Sequence, residues 1–307
     1  MQYENVINKI GKYFDDASFE YDKHKYNPND PSAKTFLVRQ PVLLQSIKEM
    51  GFDGGSVLDC GCGTGENLLF LKKNGFDVDG FDLSQNMVAM CKEKFKAVKI
   101  TDINVWQDNI CHFSGNIKKE YDIVVAMGVL QYLSEDLRAD AYHQIARAVR
   151  PGGIIVLSYV NALFDLFTFN KFTVGFLKKH ILPLGNWRDG EDAMVNLIKS
   201  LISYPDIGVK KGTKSETAHG YVSIFPSNPL LIADEIRLHG FDYRCTKFCH
   251  FHALPPLLKD KLSRFEEFYE NSMAMEMNFA ESWLGNFMAY QFLVVGKNPQ
   301  VKRDGVV

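Results

Sequence analysis

Two periods of apolar and polar residues run through the middle of the chain. From residue 56 to 160, short apolar runs closed by a glycine or an acid alternate with segments whose apolar residues recur three and four apart. That pattern predicts strand and helix in repeated succession. Ser56-Val57-Leu58-Asp59-Cys60 reads as a strand that enters the turn Gly61-Cys62-Gly63-Thr64-Gly65. A helix over residues 68–73 follows, stopped by Asn74-Gly75. Residues 76–82 form the second strand, closed by Asp82, and Ser84 is placed to cap a helix over 87–95. The third strand falls within 98–106 and the fourth is 121–127. An amphipathic helix over 134–149 ends at Arg150-Pro151-Gly152-Gly153, which feeds a fifth strand at 154–159. A helix at 228–238, stopped by His239-Gly240-Phe241, and strands at 243–251 and 287–295 come later. Ahead of the alternation, residues 34–50 predict a helix with Phe36, Leu37, Leu43, Leu44 and Ile47 on its apolar face. Residues 1–33 are polar and aromatic and read as a docked arm or a flap over a ligand.

Strand–helix alternation of this kind builds an α/β domain with a parallel sheet and helices on both faces. Ligands in such sheets bind beyond the carboxyl ends of the strands, where strand order reverses. Asp59, Asp82, Asp108 and Met127 all fall at such ends. The expected organisation is an N-terminal arm and helix (1–51), a core (52–160 and 226–298), and two insertions acting as lids (161–225 and 253–283). The first insertion is rich in phenylalanine, which suits packing of the lid, an apolar acceptor pocket or a surface near lipid. The second is rich in Leu, Phe and Met, side chains that fill irregular gaps.

Composition narrows the partners. Of 307 residues, 46% are hydrophobic, enough for a large core. A net charge of −2 gives no general grip on nucleic acid or on an anionic membrane. Neither a signal peptide nor a membrane-spanning apolar run is legible, and the six cysteines show no pair of Cys-x-x-Cys motifs. Free thiols, a cytoplasmic location and no metal site are the expectation.

The glycine turn carries the chemistry. A dinucleotide-binding loop would read Gly-x-Gly-x-x-Gly, whereas this one reads Gly61-x-Gly63-x-Gly65 with Asp59 just before it. That carboxylate repels a pyrophosphate and welcomes a cation. The stretch Leu58-Asp59-Cys60-Gly61-Cys62-Gly63-Thr64-Gly65 resembles the first motif of the class I S-adenosylmethionine-dependent methyltransferases. The resemblance covers about residues 52–160 well and 226–296 loosely, and it implies a Rossmann-like sheet of seven strands with the last antiparallel. It further implies that Gly61, Cys62 and Gly63 line the methionine and ribose part of S-adenosyl-L-methionine, with Asp59 at its ammonium end. Asp82 would accept from the two ribose hydroxyls, with Leu83 and Met87 in the continuation of that motif. Asp108, with Asn109 and Ile110, would meet the adenine, and Met127 the methionine part. Gln131, Tyr132, Tyr159 and Tyr221 are candidates to touch the acceptor.

Methyl transfer asks the protein mainly for alignment and a dry pocket. A hydroxyl acceptor also needs a base, for which His219 is the first candidate and His250 and His252 the second; His143 reads as structural. The sequence favours methylation of a small molecule, O-linked before N-linked, on a sugar, phenol or secondary metabolite. A non-catalytic S-adenosylmethionine-binding scaffold is the other reading. Nucleic-acid methylation is disfavoured because Ala126-Met127-Gly128-Val129 stands where an Asn/Asp-Pro-Pro-Tyr/Phe motif would be. Oligomeric state is not legible.

Overall fold

The computed structural model describes residues 2–25, 37–117, 119–184, 190–201, 222–256 and 265–299. A long helix, α1 (Gln2–Lys25), opens the chain and α2 (Arg39–Glu49) follows. Then come β1 (Gly55–Cys60), α3 (Glu66–Lys73), β2 (Phe76–Asp82), α4 (Gln85–Ala97), β3 (Asn104–Gln107) and β4 (Tyr121–Ala126). The core continues with α5 (Glu135–Ala148) and β5 (Val149–Val160). The first insertion contributes α6 (Phe164–Phe167), α7 (Lys171–Phe176) and α8 (Glu191–Leu201). The chain returns through α9 (Ile232–Leu238) and β6 (Asp242–Phe251), makes α10 (Phe265–Phe279) and α11 (Gly285–Met288), and ends in β7 (Ala289–Lys297).

The seven strands form one sheet in the order β3-β2-β1-β4-β5-β7-β6. β1 pairs in parallel with β2 and β4, β2 with β3, and β4 with β5, while β7 runs antiparallel to both β5 and β6. Strand order reverses between β1 and β4, which opens the crevice at their carboxyl ends.

Because side chains alternate across a strand, the apolar runs feed two cores. Val57, Ile123, Val125, Ile154 and Val156 face α2, α3 and α4; Leu58, Val124, Ala126, Ile155 and Leu157 face α5 and α9. Each fully buried aliphatic side chain stabilises the fold by about 1.5–3 kcal/mol relative to exposure. That is why the runs in β1, β4 and β5, buried on both faces, are nearly continuous rather than alternating. Ser84 caps α4 as its position predicts, its hydroxyl accepting from the Met87 N–H at 3.1 Å.

Two regions take forms that the sequence reading left open. The N-terminal segment, expected as a docked arm or a flap, is a 24-residue helix, and it puts Ile7 and Ile10 into the core on the α5 side. The second insertion covers the outer edge of β6. There the Phe248 N–H donates to the Ala280 carbonyl at 2.6 Å, and the His250 and Phe251 N–H groups donate to the Glu276 carboxylate at 3.0 and 2.7 Å. An unpaired strand edge is thereby blunted. The first insertion has a small core of its own, Val174, Leu182 and Val195, and docks through the buried Phe164 onto Tyr290 and His252. Phe169 and Phe172 remain exposed. At the root of this insertion the buried Asn161 amide donates to the carbonyls of Gly285, Asn286 and Ala289, tying the end of β5 to the start of β7. No described helix is long and apolar enough to cross a membrane.

Candidate cofactor site

The crevice at the carboxyl ends of β1, β2 and β4 holds a cavity of about 680 Å³, its open mouth included. Gly61, Gly63, Asp82, Leu83, Met87, Asp108, Asn109, Ile110, Met127 and Tyr132 line it, all positions singled out by the sequence. Ile7, Ile10, Phe14 and Tyr21 of α1, with Phe81, Gly128, Val129 and Leu133, complete the wall.

The three glycines of the turn do different work. All have positive φ, at 85°, 54° and 85° for Gly61, Gly63 and Gly65, a region costly to residues with a Cβ. A Cβ on Gly61 would stand 2.3 Å from Val129, and one on Gly65 would stand 2.4 Å from the Cys91 sulfur, so both glycines allow close packing. A Cβ on Gly63 would meet nothing within 4 Å, and Gly63 borders the cavity, which leaves its backbone open to a ligand. The turn hangs from β2: the Gly61 and Cys62 N–H groups both donate to the Phe81 carbonyl, at 2.8 and 2.9 Å.

Asp59, last but one in β1, is fully buried, and among the described residues neither carboxylate oxygen has a hydrogen-bond donor. Burial, reinforced by the negative charge of Asp82, pushes its carboxyl up to about 8. A buried carboxylate without a donor is costly. The residues present therefore fit a cationic group, which would supply both the charge and the donors. Asp59 does not itself line the cavity; Gly61, two residues on, does.

Asp82 is anchored for display. Its oxygens accept from the Gly63 N–H at 2.8 Å and the Ser84 N–H at 2.9 Å. Burial pushes its carboxyl up to about 6 against those two bonds, and the nearby Asp15 carboxylate adds to the rise. Asp15 docks α1 here: its carboxylate accepts from the Ser84 hydroxyl at 2.5 Å and the Asn86 N–H at 3.1 Å. The acid that fastens the helix thus sits against the loop following Asp82.

Asp108 lines the cavity but is already committed. It accepts from the Trp106 indole at 3.0 Å, the Asn109 N–H at 2.9 Å, and the Ser114 N–H and hydroxyl at 3.0 and 2.9 Å. A carboxylate has about four acceptor sites, so an adenine amino group would have to displace one of these donors. As it stands, Asp108 fixes the loop that bears Asn109 and Ile110.

The Cys62 side chain turns away from the cavity into the core shared with Leu68 and Cys91, so its backbone is the part left at the turn, as the expectation for the turn's backbone requires. Two other expectations need correction. Tyr159 is 1% exposed, stacked on Phe292 at 5.4 Å, with its hydroxyl bonded to that of Tyr142; it is core, not a wall of the cavity. Gln131 is buried beside the cavity rather than lining it. His219 and Tyr221 lie outside the described residues. His143 is exposed on α5, while His250 and His252 stack at 5.2 Å near the end of β6.

The sequence reading allowed for a flap over the ligand here but missed its helical form, although Ile7, Ile10, Phe14 and Tyr21 recur at helical spacing.

Residues 57–153 match the family model described as a methyltransferase domain. A ubiquinone biosynthesis O-methyltransferase of Hydrogenovibrio crunogenus is 27% identical over 159 residues, 51% of this chain and 59% of that protein. A carboxy-S-adenosyl-L-methionine synthase of Psychromonas ingrahamii is 32% identical over 165 residues, 50% of this chain and 66% of that protein. The chain thus spans about half to two-thirds of the length of these curated relatives. Among solved structures, magnesium protoporphyrin IX methyltransferase from Synechocystis PCC 6803 with bound SAH is similar, with a TM-score of 0.56 at 14% identity, covering 95% of this chain and 99% of that one. At that identity the likeness concerns the fold. Strand order, glycine turn, strand-end acids and family match agree, and residues 57–153 form a methyltransferase domain.

Proposed function

We propose that the chain binds S-adenosyl-L-methionine in this cavity and transfers its methyl group to a small molecule, with O-methylation of a sugar, phenol or secondary metabolite favoured. The observation that carries the reading is Asp59: a fully buried carboxylate without a described donor, next to a glycine turn whose middle residue is open to the cavity. That combination suits a nucleoside with a cationic tail and would be a liability without one. When bound, S-adenosyl-L-methionine supplies an electrophilic methyl group on a sulfonium. Asp59 would hold the ammonium end, the Gly61–Gly63 backbone would lie along the ligand, and Asp82 would accept from its ribose hydroxyls. Asn109 and Ile110, on the loop that Asp108 fixes, would border the adenine.

Apolar side chains of α1, chiefly Ile7, Ile10 and Phe14, would keep water from the reacting centre. The relatives named for O-methylation favour an oxygen acceptor; the synthase among them is a reminder that this fold hosts other reactions. His219 stays the proposed base for a hydroxyl acceptor. The test is incubation of the purified protein with labelled S-adenosyl-L-methionine and a metabolite extract, followed by mass analysis. The expected result is a labelled small product whose formation is slowed by His219→Ala; absence of any label transfer would contradict the reading.

A further inference from the structure

The outer surface of the first insertion is apolar and basic at once. After α7 the chain continues in two further helical turns, Leu177–Ile181 and Leu182–Leu184. One side of this segment is covered, since Val174 and Leu182 are buried with Val195 of α8. The other side stands in solvent. Phe172 is 52% exposed, Ile181 45% and Leu184 82%, and Phe169, just ahead of α7, is 48% exposed. Lys171, Lys178, Lys179 and His180 are exposed among them, and the Lys171 ammonium lies over the Phe172 ring at 5.3 Å. From residue 169 to 184 the sequence holds three lysines and a histidine and no acid, although the whole chain has a net charge of −2.

Of the acids with described side chains in this insertion, Asp192 reaches Lys178 at 3.6 Å, but both are exposed and such pairs are weak. Asp165, on α6, is partly buried, which pushes its carboxyl upward, toward the neutral form. α11 packs on α6 and adds Phe287 and, just ahead of it, Trp283, which is 70% exposed. Large apolar side chains in water, with lysines between them and no acid, complement an anionic lipid surface. Aromatic and aliphatic groups enter the boundary between headgroups and acyl chains, while ammonium groups meet the phosphates. Tryptophan favours the same boundary.

We propose that the outer face of residues 169–184 docks on an anionic phospholipid surface, with Phe172 and Leu184 at the headgroup boundary and Lys178 and Lys179 on the phosphates. The insertion leaves the sheet from the end of β5, the edge at which the cofactor cavity opens, so docking would turn that edge toward acceptors dissolved in lipid. Docking itself does not depend on the cofactor reading.

The experiment is co-sedimentation of the full chain with vesicles of phosphatidylcholine alone or mixed about two to one with phosphatidylglycerol. The mixed vesicles are expected to bind about tenfold or more tightly than phosphatidylcholine, and binding should loosen as salt is raised. Each lysine near such a surface strengthens binding about fivefold, so Lys178→Gln with Lys179→Gln should weaken it about 25-fold. Phe172→Ala with Leu184→Ala should weaken it about tenfold. Circular dichroism checks that each variant is folded; if the apolar pair is not, Leu184→Ala alone, at the most exposed position, decides. Binding to neither kind of vesicle, equal binding to both, or binding that survives either double substitution would overturn the proposal. So would a dimer in ultracentrifugation that these substitutions dissolve, without vesicle binding, since the face would then belong to a second copy of the chain.

Discussion

Replacing Asp59 by Asn separates what this residue costs the empty protein from what it gives the ligand. In the unfolded chain its carboxyl loses a proton near 3.8, whereas in the folded protein burial holds the proton until about pH 8. Between those values the folded state binds the extra proton, so Asp59 makes stability fall as pH rises, and the loss is complete above about pH 8. From 3.8 to pH 7 is about three pH units at about 1.4 kcal/mol each, so the penalty at neutral pH is about 4 kcal/mol. Asn keeps the shape and removes the titration, but its own amide is left short of partners, at a cost of about 1–3 kcal/mol. The free Asp59→Asn protein is therefore expected to be more stable than the parent by about 1–3 kcal/mol at pH 7, with the advantage gone at about pH 5. Urea denaturation followed by circular dichroism at about pH 5 and about pH 8, with and without S-adenosyl-L-methionine, reads this directly. In the parent the ligand should restore stability at the higher pH; in the variant it should not. A difference between the two proteins that does not change with pH, together with unchanged ligand affinity, would refute the reasoning.

Other outcomes follow from the same geometry. Asp82→Ala should abolish S-adenosyl-L-homocysteine binding by calorimetry in a protein that still folds, and unchanged affinity would remove Asp82 from the site. Gly61→Ala forces a Cβ into Val129 at positive φ and should cost about 2–5 kcal/mol in thermal or urea unfolding. Gly63→Ala meets no neighbour and should cost only about 1–2 kcal/mol, yet weaken ligand binding, because its space borders the cavity. Equal destabilisation by the two alanines would contradict the division of labour drawn here. Asp15→Ala removes the bonds that fasten α1 to Ser84 and Asn86, so limited proteolysis should cut α1 faster and ligand affinity should fall.

The sheet and its cofactor edge were legible because they depend on local signals. Buried strands such as 121–126 can only be apolar runs, a tight turn at positive φ demands glycine, and an acid at a strand end stands out against its neighbours. Residues 76–82 were read with the boundaries that the structure has. What escaped depends on contacts distant in sequence. Whether Tyr159 touches a substrate is decided by Tyr142 and Phe292. Asp108 looks like a free acid in the chain; only the folded loop brings Trp106 and Ser114 onto it. The helical spacing of Ile7, Ile10 and Phe14 was present in the sequence, but charges between them obscured an apolar stripe only a few residues wide.

The central claim is that strand-end carboxylates and an open glycine turn form a site for a positively charged nucleoside. The most direct measurement is calorimetric titration of the purified chain with S-adenosyl-L-methionine beside its demethylated, sulfonium-free product. One saturable site for both ligands is predicted, lost in Asp82→Ala, with the affinity for both falling in Asp59→Asn. A chain that takes up no heat from either ligand, or binds both equally well after the two acids are removed, would contradict the account.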